Sequence, residues 1–102
     1  MGIQINEDRW CVLTQSLDAA SVAANTSAEQ DFTVTGLKAG DFVQVSKPAL
    51  SAGLVISTAR VKAKDTLSIT FGNLTGSPID PAAEAYQIYV LRPEKTFTSV
   101  TL

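Results

Sequence analysis

Residues 66–73, TLSITFGN, decide the fold class of this chain, because their apolar side chains recur at every second position. Leu67, Ile69 and Phe71 share one parity, and the residues between them are small or polar. Alternation with a period of two is typical of a β-strand that has one face on a core and the other in solvent. The segment therefore predicts a strand with Leu67, Ile69 and Phe71 pointing inward.

The segments on the N-terminal side of this strand repeat the alternation. In residues 31–36 (DFTVTG) and 41–48 (DFVQVSKP), the side chains expected to face inward are Phe32, Val34, Val43 and Val45. Residues 54–65 (LVISTARVKAKD) are predicted to form a hairpin with residues 66–73, turning at Asp65. Its expected inward residues are Val55, Ala59, Val61 and Ala63, and its expected outward residues are Thr58, Arg60, Lys62 and Lys64.

Near the N-terminus, residues 9–17 (RWCVLTQSL) are also predicted to form a strand. Trp10, Val12 and Thr14 are bulky or β-branched, which suits a pleated surface. Cys11 is the single cysteine, so an intramolecular disulfide is excluded. Its apolar neighbours predict an inert thiol buried in the core.

Residues 18–30 (DAASVAANTSAEQ) are rich in alanine, and an aspartate at their start could cap a short helix. Their apolar positions nevertheless form no stripe at helical spacing, and polar residues interrupt them. We therefore predict a short strand over residues 20–24 and a turn at Asn25 and Thr26.

Residues 85–93 (AYQIYVLRP) differ from the other strands because they are apolar on both parities. Tyr86, Ile88 and Val90 lie on one face, and Tyr89 and Leu91 lie on the other. A strand of this kind is either central in its sheet or covered by a neighbouring chain. Both explanations remain open at the level of sequence.

The complete pattern predicts an all-β fold, a compact antiparallel β-sandwich or jelly roll of about seven or eight short strands. A chain of 102 residues is expected to be a single domain over residues 1–102, because halves would bury too little apolar surface. Residues 1–8 are expected to form an N-terminal arm, and residues 96–102 (TFTSVTL) a C-terminal strand or arm.

The composition argues against catalysis and against a bound cofactor. The chain has no histidine, which removes the commonest general base and metal ligand. Its ten Asp and Glu residues fall in turns or on polar parity, and no phosphate-binding glycine motif occurs. We therefore expect no enzyme activity, no catalytic residue, no cofactor and no metal. A small enzyme that works with two carboxylates is the remaining alternative of this class, and it would require a pocket holding both.

The charge and hydropathy of the chain limit its partners. A net charge of -2 provides no basic face for nucleic acid, and no run approaches the ~18 apolar residues that cross a bilayer. Arg60, Lys62 and Lys64 nevertheless form a cationic stripe on one strand face. This stripe is either a solvated surface that resists edge aggregation or a docking site for an acidic partner. No secretion signal is recognisable at the N-terminus, so synthesis and folding in a reducing cytoplasm are expected.

The order of turns and strands resembles that of the capsid decoration, or cement, proteins of tailed bacteriophages, over residues 20–92. The residues that carry the likeness are Gly36, Gly40, Asp41, Val43, Val45, Pro48, Gly53, Leu54, Ala59, Val61, Asp65, Thr66, Ile69, Asn73, Thr75, Gly76 and residues 86–92. The resemblance implies a compact β-sandwich or jelly roll on the virion (capsid) surface, synthesised in the cytoplasm of the host bacterium. Such a protein would bind the major capsid protein, bridge neighbouring capsid subunits, and form a homodimer or homotrimer.

Apolar and cationic side chains outside the predicted core are the candidates for partner contact. They are Trp10, Arg60, Lys62, Lys64, Tyr86, Tyr89, Phe97, Val100 and Leu102. For each apolar one, the alternative is that it fills this chain's own core. A tail, fibre or baseplate module that binds host-surface carbohydrate is the alternative function, and it would place exposed aromatic residues in a groove.

Overall fold

The computed structural model describes residues 10–93, and within this range the chain forms six β-strands and no helix. The strands are β1 (Trp10–Leu17), β2 (Thr26–Thr33), β3 (Phe42–Ser46), β4 (Leu54–Ala63), β5 (Thr66–Asn73) and β6 (Glu84–Leu91). The predicted all-β class is confirmed, although the described range has six strands instead of about seven or eight. The predicted arm at 1–8 and strand at 96–102 lie outside the described residues.

The strands form two antiparallel three-stranded sheets, which together make a small β-sandwich. We call β1-β6-β3 the first sheet and β2-β5-β4 the second sheet. The central strands are β6 and β5, so the doubly apolar strand is central in its sheet. No helix in the described range could cross a membrane.

The core lies between the two central strands. Leu67, Ile69 and Phe71 of β5 are completely buried, which confirms the predicted inward parity. Residues of β6 meet them from the first sheet, and they are Tyr86, Ile88 and Val90. The inward residues Phe32, Val43 and Val45 pack against this core, and Val34 is buried in it.

The first part of the second sheet differs from the prediction. Strand β2 begins at Thr26 instead of Asp31, and the expected strand over 20–24 is reduced to one bridge between Val22 and Ile79. The reason is that Thr26–Gln30 lie on an edge strand with mostly exposed side chains, so they show no apolar alternation. The turn before β2 is confirmed, with a positive φ of 53° at Asn25.

Two irregularities in β4 overturn part of its predicted parity. The register against β5 shifts between Ile56 and Thr58, and again between Val61 and Ala63. Each bulge adds a residue that breaks strict alternation. Val55 and Ala63 are therefore exposed, whereas Ile56 takes the expected place of Val55 against the core.

Cys11 is exposed, so the prediction of a buried core thiol is wrong. The inward residues of β1 are Leu13, which is half-buried, and Leu17, which is buried, so burial increases along the strand. Cys11 lies at the other end of this edge strand, beyond the part that packs on the core. Trp10, Val12 and Thr14 all face outward into solvent.

Candidate functional site

Five large apolar side chains are exposed together on the outer surface of the first sheet. We call them the apolar face, and they are Trp10, Val12, Phe42, Tyr89 and Leu91. Their exposed fractions lie between 38% for Leu91 and 64% for Phe42. Single exposed apolar residues are ordinary, but a contiguous group of this kind marks an interaction site.

The register of the first sheet brings these residues together. Trp10 and Phe42 both lie opposite Leu91, so the three form one row across β1, β6 and β3. Tyr89 lies opposite Val12 and forms the next row with it. The rings of Trp10 and Tyr89 stack, with centroids 5.9 Å apart and planes at 18°. Side chains on alternate residues of neighbouring strands therefore build one continuous surface.

The whole outer surface of the first sheet lacks charge in strands β1, β3 and β6. Besides the apolar face, its outward positions hold Thr14, Ser16, Gln44, Ser46, Ala85 and Gln87. A partner that covered this surface would not have to desolvate an ion there, which is the main cost in burying polar protein surface.

An ion pair fixes the ends of the two strands that carry Phe42 and Leu91. Arg92 donates from Nε to Asp41 Oδ1 at 2.9 Å and from Nη2 to Asp41 Oδ2 at 2.8 Å. The backbone N–H of Lys38 also donates to Asp41, at 2.9 Å. These bonds, with Arg92 foremost, hold the pKa of the buried Asp41 carboxyl below its usual value. The apolar face is thus built on a fixed backbone.

The preceding turn is tied to the same cluster through Gly36, whose positive φ of 104° suits glycine. Its carbonyl accepts from Arg92 Nη2 at 2.9 Å, and its N–H donates to Asp65 Oδ1 at 2.8 Å. Asp65 belongs to the β4–β5 turn, so the two bonds of Gly36 together connect Arg92 at the end of β6 to the second sheet. The turn residues chosen from sequence therefore serve to fix loop geometry.

The outer surface of the second sheet is charged, and its charges are paired within the chain. Arg60 donates two hydrogen bonds to Glu29, at 2.8 and 2.9 Å, and Lys62 donates to Asp31 at 3.1 Å. The pKa of Glu29 is lowered chiefly by Arg60, and that of Asp31 is lowered by the Ser68 hydroxyl and then by Lys62. Two of the three cations of the predicted stripe are therefore neutralised across β5.

The structure places the predicted contact residues on different surfaces of the molecule. Trp10 and Tyr89 meet on the apolar face, whereas Arg60 and Lys62 lie on the second sheet and Lys64 is exposed in the turn after β4. Tyr86 is completely buried, so its selection as a surface contact is corrected: its ring fills the core. Phe97, Val100 and Leu102 lie outside the described residues.

Three members of the apolar face were not selected from sequence, namely Val12, Phe42 and Leu91. Phe42 has the opposite parity to Val43 and Val45, and this was the available signal for an outward aromatic residue. Leu91 has the same parity as Tyr89. Val12 has the same parity as Trp10, which was selected, and this was the available signal for it.

Comparisons of this chain with protein-family models, with curated proteins and with solved structures find no match.

A second group of ionisable side chains lies inside the sandwich. The Lys47 side chain is fully buried, donates to Glu84 and to the Ala49 carbonyl, and lies 5.6 Å from the centre of the Tyr86 ring. Burial is the main cause that raises the pKa of Tyr86 to about 12, so this hydroxyl stays protonated. The group joins the end of β3 to β6: Lys47 and Glu84 bond each other, whereas the buried Tyr86 hydroxyl has no hydrogen-bond partner among the described residues.

A cleft of about 150 Å³ opens beside the apolar face, between the start of β1 and the turn after β2. Its lining residues are Trp10, Cys11, Leu13, Thr35, Gly36, Leu37, Val90 and Arg92. No carboxylate is among them, so this cleft does not provide the paired acids that the enzyme alternative would need. Among residues 10–93, no cluster of three potential metal ligands occurs.

Proposed function

We propose that this protein is a non-enzymatic virion component that decorates the outside of a phage capsid. The apolar face of the first sheet would dock on the major capsid protein and bridge neighbouring capsid subunits. The observation that carries the proposal is the group of exposed aromatic side chains on an uncharged sheet surface. The resemblance of residues 20–92 to decoration proteins supports the identity of the partner.

The composition of the apolar face suits an interface. Aromatic residues are enriched at the centres of protein interfaces and account for much of their binding energy. Trp10, Phe42 and Tyr89 are about half exposed, so covering them would bury roughly 300 Å² of apolar area, given 150–250 Å² for a fully buried ring. At about 25 cal/mol per Å² this is ~7 kcal/mol before the costs of association.

Those costs explain why bridging is an appropriate arrangement. The loss of translational and rotational freedom alone takes an estimated ~4–15 kcal/mol, so one apolar face contributes only a weak contact. Contacts made simultaneously to two capsid subunits raise the effective concentration of the second contact. A decoration protein that bridges subunits therefore binds an assembled shell much better than an isolated capsid protein.

Shell binding tests the proposal directly. Purified protein is mixed with undecorated capsids and sedimented, and the bound protein is counted per capsid subunit. The expected result is saturable binding at a ratio set by the lattice symmetry, with little binding to unassembled capsid protein. The variant Arg60→Ser/Lys62→Ser/Lys64→Ser is expected to bind as well as the native chain. Failure to bind any assembled shell would overturn the proposal.

The alternative is a tail, fibre or baseplate module that binds host-surface carbohydrate, and the observation that favours it is the exposure of the Trp10 and Tyr89 rings. These rings stack on each other, so each has a face that is already covered. A glycan array separates the two functions, because a decoration protein is expected to give no hits. A reproducible hit that is lost in Tyr89→Ser would support the module instead.

A further inference from the structure

Four strands lie at the sheet edges of the described structure, and β1 differs from the other three. An open edge exposes a row of backbone N–H and C=O groups that can pair with another chain. Proteins usually block such edges with charged side chains, prolines, bulges, short strands or covering segments. β6 is the only strand paired with β1 in the described range, so the other side of β1 is open there.

The other three edges each carry a recognisable block. On β2, the side-chain amide of Gln30 bonds the backbone N–H and C=O of Ala20, at 2.7 and 2.9 Å, which places a chain segment along that edge. β4 contains two bulges and the charged residues Arg60 and Lys62. β3 has only five residues, and Pro48 follows soon after it.

Strand β1 has none of these features among residues 10–93. It has eight residues, WCVLTQSL, without charge and without proline. Its pairing with β6 runs from Trp10 opposite Leu91 to Leu17 opposite Glu84 without a bulge. Long, regular, uncharged edge strands are the ones that pair readily with other strands.

We propose that β1 pairs antiparallel with β1 of a second copy, so that two first sheets join into one six-stranded sheet. A second copy fits this edge because an identical strand is uncharged, so no charge is buried unpaired. Antiparallel pairing also gives the closed two-fold symmetry of most homo-oligomers. The inference goes beyond capsid decoration and does not depend on the identity of the shell.

The side-chain alternation restricts the register of this pairing. Directly opposite residues of an antiparallel pair point to the same face, so outward Trp10, Val12, Thr14 and Ser16 must oppose outward residues of the second copy. The registers with the greatest overlap therefore place either Leu13 or Thr14 on the two-fold axis. With Leu13 on the axis, Val12 of one copy lies opposite Thr14 of the other.

This register has a consequence for the apolar faces. With Leu13 on the axis, the two Trp10 residues lie three positions on either side of it, or about 20 Å apart along the strands at ~3.3 Å per residue. Both apolar faces are then on the same surface of the joined sheet. A dimer would present two docking surfaces in one direction, which suits simultaneous contact with two subunits.

A charge-swap experiment on Thr14 tests the inference, since Thr14 is exposed and close to the axis in either register. Thr14→Lys and Thr14→Glu are each expected to raise the dimer dissociation constant about tenfold or more, because the like charges are then directly opposite with Thr14 on the axis, or diagonal neighbours with Leu13 on the axis. Mixing the two variants is expected to restore dimers, which native mass spectrometry identifies as heterodimers. Circular dichroism and Tm show that each variant is folded.

Gln44 provides a matched control, because it is outward and exposed on the far edge of the same sheet. Gln44→Lys is expected to leave the dissociation constant unchanged. If Gln44→Lys weakens the dimer as much as Thr14→Lys, the copies pair through the sheet face and the inference is wrong. Native protein that remains monomeric at high micromolar concentration, or forms only trimers, also overturns it.

Disulfide trapping provides a second readout that needs no weakened variant. In a Cys11→Ser background, the double variant Val12→Cys/Thr14→Cys is expected to form a covalent dimer rapidly under mild oxidation, whichever register holds. Cysteines at Gln44 and Ser46 in the same background are the control and should cross-link slowly. Equal rates at both pairs would contradict pairing through β1.

Discussion

The outer surfaces of the two sheets differ, although both are solvent-exposed faces of three-stranded antiparallel sheets. The second sheet carries Glu29, Asp31, Arg60 and Lys62, which pair with one another across its central strand. The first sheet carries apolar and uncharged polar side chains at its outward positions. The exposed charges in the strands of the second sheet are therefore paired within the chain, whereas the exposed apolar area of the first sheet is left uncovered by the described residues.

The sequence alone draws attention to the charged surface, whereas the structure points to the apolar face as the binding surface. A row of three alternating cations attracts attention in a sequence because charge is easy to read. The acids that neutralise two of them lie about 31 positions away in the chain and become neighbours only through β5. The aromatic row needs the register of three strands to assemble, so it is not visible as a motif. We therefore expect binding to follow the apolar face and stability to follow the charged contacts.

The largest expected effect comes from removing the aromatic groups that lie away from β1. Phe42→Ser/Tyr89→Ser is expected to weaken shell binding by about 100-fold or more, since truncated aromatic anchors each cost ~2 kcal/mol or more. Tm should change little, because both side chains are exposed. Co-sedimentation with undecorated shells measures binding, and Arg60→Ser/Lys62→Ser is the control. Equal loss in both variants would remove the distinction between the two surfaces.

The next effect concerns the ion pair that fixes the apolar face. Asp41→Ala leaves Arg92 and the Lys38 N–H without their acceptor, which costs about 2–3 kcal/mol of unfolding free energy for a buried group. For a chain of this size, that corresponds to a Tm lower by about 10–20 °C. Urea and thermal unfolding measure it, with the exposed Asp80→Ala as control. Equal stability of the two variants would show that Asp41 is not a structural anchor.

Much of the fold could be predicted because period-two alternation is local. The alternation of Leu67, Ile69 and Phe71 predicts their strand without any tertiary information, and Asp65 predicts the turn before it. The errors arose where the tertiary fold overrides local pattern. Bulges in β4 reversed Val55, and the edge position of β1 exposed Cys11. The site was predicted only in part for the same reason: Trp10 and Tyr89, two of the five residues of the apolar face, were selected from the sequence, but the assembly of the face depends on strand register.

Acid should destabilise the protein through carboxylates on both sheets. The pKa values of Glu29, Asp31, Asp41 and Glu84 are all lowered in the folded chain, mainly by hydrogen bonds from cations and, for Asp31, from Ser68. A group with a lowered folded pKa contributes stability above its unfolded pKa and loses it as the pH falls through the folded value.

We therefore expect a constant unfolding free energy from about pH 7 to about pH 5 and a steep decrease below it. The absence of histidine supports the flat region, because no imidazole titrates there. Urea unfolding at each pH measures the curve. Asp41→Asn should flatten the acid limb, and increasing stability on acidification would contradict the assignment.

The smallest expected effect comes from breaking a single exposed ion pair on the second sheet. Glu29→Gln removes the partner of Arg60 on an exposed face, where ion pairs contribute little and salt screens them. Tm should fall by no more than a few degrees at low ionic strength, and the difference should vanish in 1 M salt. Shell binding should not change, because Arg60 lies on the sheet that does not dock. Stronger shell binding in this variant would show that the released cation meets an acidic partner, and the charged surface would then have to be included in the docking site.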